Sequence, residues 1–128
     1  MNSDVSEAVV ELRRAFPEAQ VTANDDGEGG ARVIVDPVDL GAHFSPRQTW
    51  MGGHITALYP NADIYPLFID AAVRRADGKG FETPVTHGAS FDGRPAIQVS
   101  RRNNQIQTCP QTAVAKFIKV LDFLEKLP

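Results

Sequence analysis

The sequence has little cysteine and no long apolar run. Cys109 is the only cysteine among 128 residues, so no disulfide can form within the chain and a reducing, cytoplasmic setting is expected. No apolar stretch reaches the length that crosses a bilayer, and no charged-then-apolar leader follows Met1. These features predict a soluble globular protein that does not contact membranes.

The chain also lacks an excess of basic residues. It has 13 lysines and arginines against 16 aspartates and glutamates, a formal net charge of -3. Because nucleic acid is bound through its phosphates by basic surfaces, it is not expected as a partner. The length is enough to bury one core and too short for two, so we predict a single domain over residues 1–128.

Helical periodicity marks both ends of the sequence. Apolar residues recur three and four positions apart over residues 4–16, where Pro17 ends the pattern, and again over residues 114–127. One pair of residues with the spacing of a capping box predicts the start of each helix: Asp4 with Glu7 for the first, and Thr108 with Gln111 for the second.

The middle of the chain has the composition of β-strands. Four stretches rich in β-branched and aromatic residues are predicted as strands: 20–25, 31–40, 54–59 and 67–73. Residues 26–30 are predicted as a turn, and the glycine- and proline-rich residues 74–95 as a long loop before a short strand near 96–99. The predicted class is α+β, an antiparallel four-stranded meander flanked by an N-terminal and a C-terminal helix.

Residues 53–66, with the sequence GHITALYPNADIYP, resemble the signature of the ubiquitin-conjugating (E2) family. In that family a strand ends in an aromatic-proline pair, and a short spacer with an acidic residue leads to a Tyr-Pro pair that packs the next loop onto the sheet. Tyr59-Pro60 and Tyr65-Pro66 match those two places. Since proline fixes φ and donates no ladder hydrogen bond, such pairs suit strand ends. The resemblance implies an E2-like domain, shortened like prokaryotic E2-like proteins and E2 variants.

Downstream, the resemblance is partial. His87 falls where E2 proteins carry a His-Pro-Asn triplet, with Ala89 at the place of the asparagine, and Asp92-Gly93 resembles the glycine turn before the family's nucleophile. The family pattern places the catalytic cysteine at Ile97, which cannot form a thioester. Cys109 stands at the serine position of the segment that opens the next helix.

Cys109 and His87 are the candidate catalytic residues. Pro110 suits a first helical turn, where backbone amides favour a thiolate, so Cys109 is either a reactive nucleophile or a small buried apolar residue. His87 is a loop organiser, a general base or a surface residue. The histidines and Cys109 show no metal-site spacing, and no metal or other cofactor is expected.

The resemblance implies a role in a ubiquitin-like protein conjugation pathway. The chain would carry the modifier as a thioester on Cys109, or position it, after transthioesterification from an E1-like activating enzyme. The missing nucleophile at Ile97 motivates a second hypothesis, a non-catalytic E2 variant or RWD-like interaction module. In either case Arg101 and Arg102 are a solvated face or a docking site for an acidic partner or for the tail of a ubiquitin-like protein.

Overall fold

The computed structural model describes residues 1–102 and 112–128. Cys109 lies outside these ranges. Neither described helix is long and apolar enough to cross a membrane. In chain order the elements are α1 (Ser3–Ala15), β1 (Gln20–Asp25), β2 (Ala31–Asp39), β3 (Phe44–Ser45), β4 (Gln48–Ile55), β5 (Leu67–Asp70), β6 (Arg74–Arg75), β7 (Val85–Phe91), β8 (Arg94–Val99) and α2 (Ala113–Glu125).

Helix α1 begins slightly earlier than its predicted capping pair. Asn2 is the N-cap, and its side-chain oxygen accepts a hydrogen bond from the amide of Val5 at 2.9 Å. The side-chain amide of Asn2 also donates to the carbonyl of Ala57. The predicted cap was therefore wrong, because Asp4 already lies in the first turn, where its negative charge suits the positive end of the helix.

Within the described residues, six strands form one antiparallel sheet in the order β1-β2-β4-β5-β8-β7, and β3 pairs with β6 separately. Strands β1, β2, β4 and β5 follow one another in space as they do in the chain. The β7–β8 hairpin then extends the sheet beyond β5. The α+β class with an antiparallel sheet is confirmed, whereas the predicted number of four strands is too small.

Strand β4 lies earlier than the predicted strand at residues 54–59. Its interior contains Gly52 and Gly53, which usually weaken a strand. A Cβ atom at Gly52 would lie 2.6 Å from Cε2 of Phe91, and one at Gly53 would lie 2.5 Å from Cδ2 of Leu67. The glycines thus leave space for side chains that pack on the two faces of the sheet, so they do not end the strand.

The segment predicted as a long loop, residues 74–95, contains β6, β7 and the start of β8. Asp92 and Gly93 form the turn of the β7–β8 hairpin, with φ of +50° and +79°; Asp-Gly is well suited to such turns. Gly88, with φ of +85°, lies at a shift of the β-pairing between Thr86 and Ala89. The loop prediction holds for residues 76–84, which lie between β6 and β7. It was wrong for the hairpin, because Gly88 and Gly93 serve a bulge and a tight turn there.

The described residues bury apolar side chains on both faces of the sheet. Along β2, Val33 and Val35 point to the face covered by the helices, here called the inner face, and Ile34 points to the outer face. The inner cluster joins α1, α2 and the sheet through residues such as Leu12, Met51, Ile97 and Phe117. The outer cluster contains Ile34, Trp50, Phe91 and Ala96, with Phe68 and Ala89 packed against it.

The β7–β8 hairpin folds back across the outer face. The ring of Phe91 stacks on Phe68, with 4.9 Å between ring centroids, and on Trp50, with 6.3 Å. At the hairpin turn, the carboxylate of Asp92 accepts a hydrogen bond from the side-chain amide of Asn24 at 2.8 Å. Because β1 and β7 are opposite edges of the sheet, this bond ties the hairpin turn to the far edge.

Candidate functional site

Residues 59–66, the Tyr-Pro segment, contact the first turn of α2. The hydroxyl of Tyr59 accepts a hydrogen bond from the amide of Ala113 at 3.0 Å. The first amides of a helix have no intrahelical acceptor, so Tyr59 satisfies one of them. Burial raises the pKa of the Tyr59 hydroxyl, which keeps it neutral. The segment is therefore joined directly to the helix that follows Cys109 in the chain.

The observed cap of α2 differs from the predicted one. Thr112 is the N-cap, and its hydroxyl accepts from the amide of Ala115 at 3.1 Å. The predicted pair, Thr108 and Gln111, lies outside the described residues. Cys109 and Pro110, which were expected to open the helix, also lie outside the described residues.

Lys116 forms a buried link between α2 and the Tyr-Pro segment. Its side chain is 1% exposed, and its Nζ donates to Oδ2 of Asp63 at 3.1 Å and to the carbonyl of Arg101. Burial lowers the pKa of Lys116, and the Asp63 carboxylate opposes this. A buried ammonium group needs such acceptors, because isolated charge is costly away from water. We call Tyr59, Asp63, Arg101 and Lys116 the junction.

Two arginines follow β8 and pack on aromatic rings. The guanidinium carbon of Arg102 lies 4.1 Å from the ring centroid of Tyr65, and that of Arg101 lies 4.5 Å from that of Phe123. Among the described residues, the buried Nε of Arg101 has no hydrogen-bond partner. The two residues predicted as a solvated or docking face therefore differ: Arg102 is exposed, and Arg101 is partly buried against α2.

The junction lies at both described ends of the segment that contains Cys109. On one side, the carbonyl of Arg101 is bonded to Lys116. On the other side, Ala113 is bonded to Tyr59. The chain before residue 103 and the chain after residue 111 are consequently fixed to the same group of side chains. Cys109 itself lies outside the described residues.

His87 lies in β7 instead of the loop predicted around it. The residue is exposed, and its ring is 5.7 Å from that of Phe81 at an angle of 48°. Phe81 in turn stacks on Phe44, 6.2 Å away. His87 therefore belongs to an aromatic contact at the edge strand of the sheet.

Ile97, at the place that the E2 pattern gives to the nucleophile, lies in β8. It is 0% exposed and belongs to the inner cluster. It pairs with Ile69 of β5 and packs among the apolar side chains beneath the helices. A side chain at this position is closed to a macromolecular substrate.

The sequence did not indicate a second pair of charged residues, at the end of β4. Oδ2 of Asp26 lies 2.7 Å from Nε2 of His54, and Oδ1 of Asp26 accepts from the amides of Glu28 and Gly30. These bonds, that to His54 foremost, lower the pKa of Asp26 to about 2. Because these three donors converge on the carboxylate of Asp26, Asp26 and His54 together close the β1–β2 turn.

Within residues 1–102 and 112–128, no three side chains of histidine, aspartate or glutamate are grouped so that they could hold a metal ion. Cys109 lies outside these ranges. Comparison with protein-family models, with curated proteins and with solved structures finds no match to this chain.

Proposed function

We propose that this chain is an E2-like component of a ubiquitin-like protein conjugation pathway, in which it carries or positions the modifier. The observation that carries the proposal is the junction. Tyr59 and Asp63 come from the segment that resembles the E2 signature, and they bond to Ala113 and Lys116 of the C-terminal helix. The chain order of helix, antiparallel sheet and helix also supports an E2-like fold.

In the catalytic form of the proposal, the modifier is carried on Cys109. The Cys109 thiolate attacks the thioester carbonyl that joins the modifier to an E1-like activating enzyme, and a tetrahedral intermediate forms. The intermediate collapses to a thioester on Cys109, and the activating enzyme leaves as its own thiolate, so one thioester replaces another. His87 and backbone amides are the proposed donors that stabilise the oxyanion.

A non-catalytic form of the proposal is favoured by Ile97. An apolar, fully buried side chain occupies the place of the family's nucleophile. In this form the chain is an E2 variant or an RWD-like interaction module, and the junction only stabilises a surface that binds a partner. Because the chain has one cysteine, the two forms differ in the reactivity of Cys109.

A model thioester distinguishes the two forms. A peptide that ends in Gly-Gly is prepared as its mercaptoethanesulfonate thioester and mixed with the full chain, and the adduct is followed by intact mass spectrometry. The catalytic form predicts faster acylation of the native chain than of the urea-unfolded chain. The adduct should be cleaved by hydroxylamine and absent in Cys109→Ala. Slow native and fast unfolded acylation would exclude the catalytic form.

The pathway itself is tested with protein partners from the same genome. An E1-like enzyme, a ubiquitin-like protein and ATP are incubated with the chain, and reducible adducts and stable complexes are measured. A thioester-linked conjugate supports the catalytic form, and a complex without a conjugate supports the positioning form. If every E1-like and ubiquitin-like protein of that genome gives neither, the proposed pathway is wrong.

A further inference from the structure

A groove of about 770 Å³ runs along the solvent-facing side of α2. Its apolar lining includes Val114, Ile118, Phe123 and Leu127. Ile118 is 51% exposed, although the inner face of the same helix is fully buried. The groove is open to solvent along its length.

The charges around this groove are mostly positive. Among the described residues, Arg101, Lys119 and Lys126 line it, together with one side-chain carboxylate, that of Asp122, which already pairs with Lys126 at 3.3 Å. The chain as a whole carries a formal net charge of -3, so the local sign is opposite to the overall sign. Positive surface beside apolar surface complements a partner with carboxylates next to apolar side chains.

Arg101 contributes a guanidinium group to the lining of the groove. Among the described residues, its Nε is buried and has no acceptor, while its guanidinium packs on Phe123 in the lining of the groove. Buried polar groups in proteins are nearly always hydrogen-bonded. A carboxylate that enters the groove beside Phe123 would meet this guanidinium group, and bonds between arginine and carboxylate are among the stronger ones.

We propose that the groove along α2 binds a short acidic and apolar peptide segment of a partner protein. Apolar side chains of the peptide pack on Ile118 and Phe123, and a carboxylate accepts hydrogen bonds from Arg101 and Lys119. This binding requires neither Cys109 nor a modifier, an activating enzyme or ATP, so it can succeed or fail independently of the proposed role in conjugation.

The test uses a fluorescein-labelled peptide of glutamate and leucine, and a matched peptide in which lysine replaces glutamate. Anisotropy is measured with the full chain, and amide chemical shifts of the ¹⁵N-labelled chain are recorded with the unlabelled peptides. We expect the acidic peptide to bind, with shifts at Ile118, Lys119 and Phe123, and the basic peptide to bind at least about tenfold more weakly.

Variants on exposed positions separate binding from folding. Ile118→Ser and Lys119→Gln should each weaken binding of the acidic peptide by about tenfold, and Arg101→Lys, which keeps the charge but loses the planar guanidinium group, should weaken it as well. Val10→Ser is the matched control, because Val10 is an aliphatic residue of α1 with 41% exposure. It should leave binding unchanged.

Three results would overturn the proposal. The first is equal binding of the acidic and basic peptides, and the second is an absence of shifts along α2 at millimolar peptide. The third concerns Ile106, an apolar residue of the segment 103–111. If Ile106→Ser changes the amide chemical shifts of the groove residues and the peptide does not, the occupant of the groove is the chain's own segment 103–111. Circular dichroism of each variant confirms that the fold is retained.

Discussion

The inner and outer faces of the sheet bury their apolar side chains by different means. Two helices cover the inner face, and its cluster includes aliphatic residues from both of them. The outer cluster is built on stacked aromatic rings, and the sheet's own β7–β8 hairpin folds across it. Helices from two distant parts of the chain therefore cover the inner face, whereas a hairpin of the sheet itself covers the outer face.

The two faces also hold their charged pairs differently. On the inner side, the Lys116 and Asp63 side chains are 1% and 10% exposed. On the outer side, those of His54 and Asp26 are 36% and 6% exposed. Water screens the second pair more than the first, so the loss of one partner should cost more on the inner side.

The largest effect is expected for Phe117→Ala on the inner face. Phe117 is 0% exposed, and its truncation should lower the free energy of unfolding by about 3–5 kcal/mol through lost burial and a cavity. Urea unfolding followed by circular dichroism measures this. Val10→Ala, at an exposed position of α1, should change stability by less than about 0.5 kcal/mol. A small effect at Phe117 would show that α2 is not part of one cooperative inner core.

Removal of the buried ammonium group comes next. Lys116→Met should lower the free energy of unfolding by about 3 kcal/mol, because it leaves the Asp63 carboxylate buried without this cation. Adding Asp63→Asn to Lys116→Met should recover part of the loss. Lys126→Met is the matched control, since the Lys126 side chain is 75% exposed. If both lysine variants unfold at the same urea concentration, the buried ammonium group of Lys116 contributes nothing to stability.

Gly52→Ala tests the outer face. The new Cβ would meet the Phe91 ring at 2.6 Å, so the hairpin must shift, at a cost of about 2 kcal/mol. Phe91→Leu in the same chain should relieve the contact and reduce the penalty of Gly52→Ala. Thermal unfolding of the two single variants and the double variant gives the coupling. Simple additivity would show that the penalty of Gly52→Ala does not come from its contact with Phe91.

The smallest effect is expected for the pair of Asp26 and His54 on the outer side, as a change of Tm at acid pH. Asp26 has a pKa of about 2 in the folded chain against an ordinary 3.8, so its stabilising contribution is present above pH 3.8 and is lost as the pH falls towards 2. Wild-type Tm should therefore fall more steeply across this range than the Tm of Asp26→Asn. Parallel curves for the two proteins would show that the pair with His54 does not stabilise the folded state.

The sequence predicted the elements whose signals are local. The helical periodicities correspond to α1 and α2, and the strand at residues 20–25 has its predicted bounds. The bounds of β4 depend instead on Phe91 and Leu67, which fill the space beside its glycines. Strand β7 was missed because its glycines were interpreted as loop residues, although Asp92-Gly93 is also a strong hairpin signal.

The sequence indicated only part of the candidate site. The Tyr-Pro segment was identified, but its partners on α2 lie more than fifty positions away in the sequence. No local sequence pattern predicts a contact across such a separation. A signal for Lys116 was nevertheless present. It lies on the same helical stripe as Ala113, Phe117 and Val120, which are all buried, so its ammonium group had to find acceptors inside the protein.

Trp50 is the only tryptophan in the chain. It is 7% exposed and lies against Phe91, with the guanidinium carbon of Arg94 5.4 Å from its ring centroid. Its emission therefore senses the hairpin and the outer face, while far-ultraviolet dichroism senses the helices on the inner face. The protein thus contains an intrinsic spectroscopic label for one face only, so the order in which its two faces melt can be observed without attaching a dye.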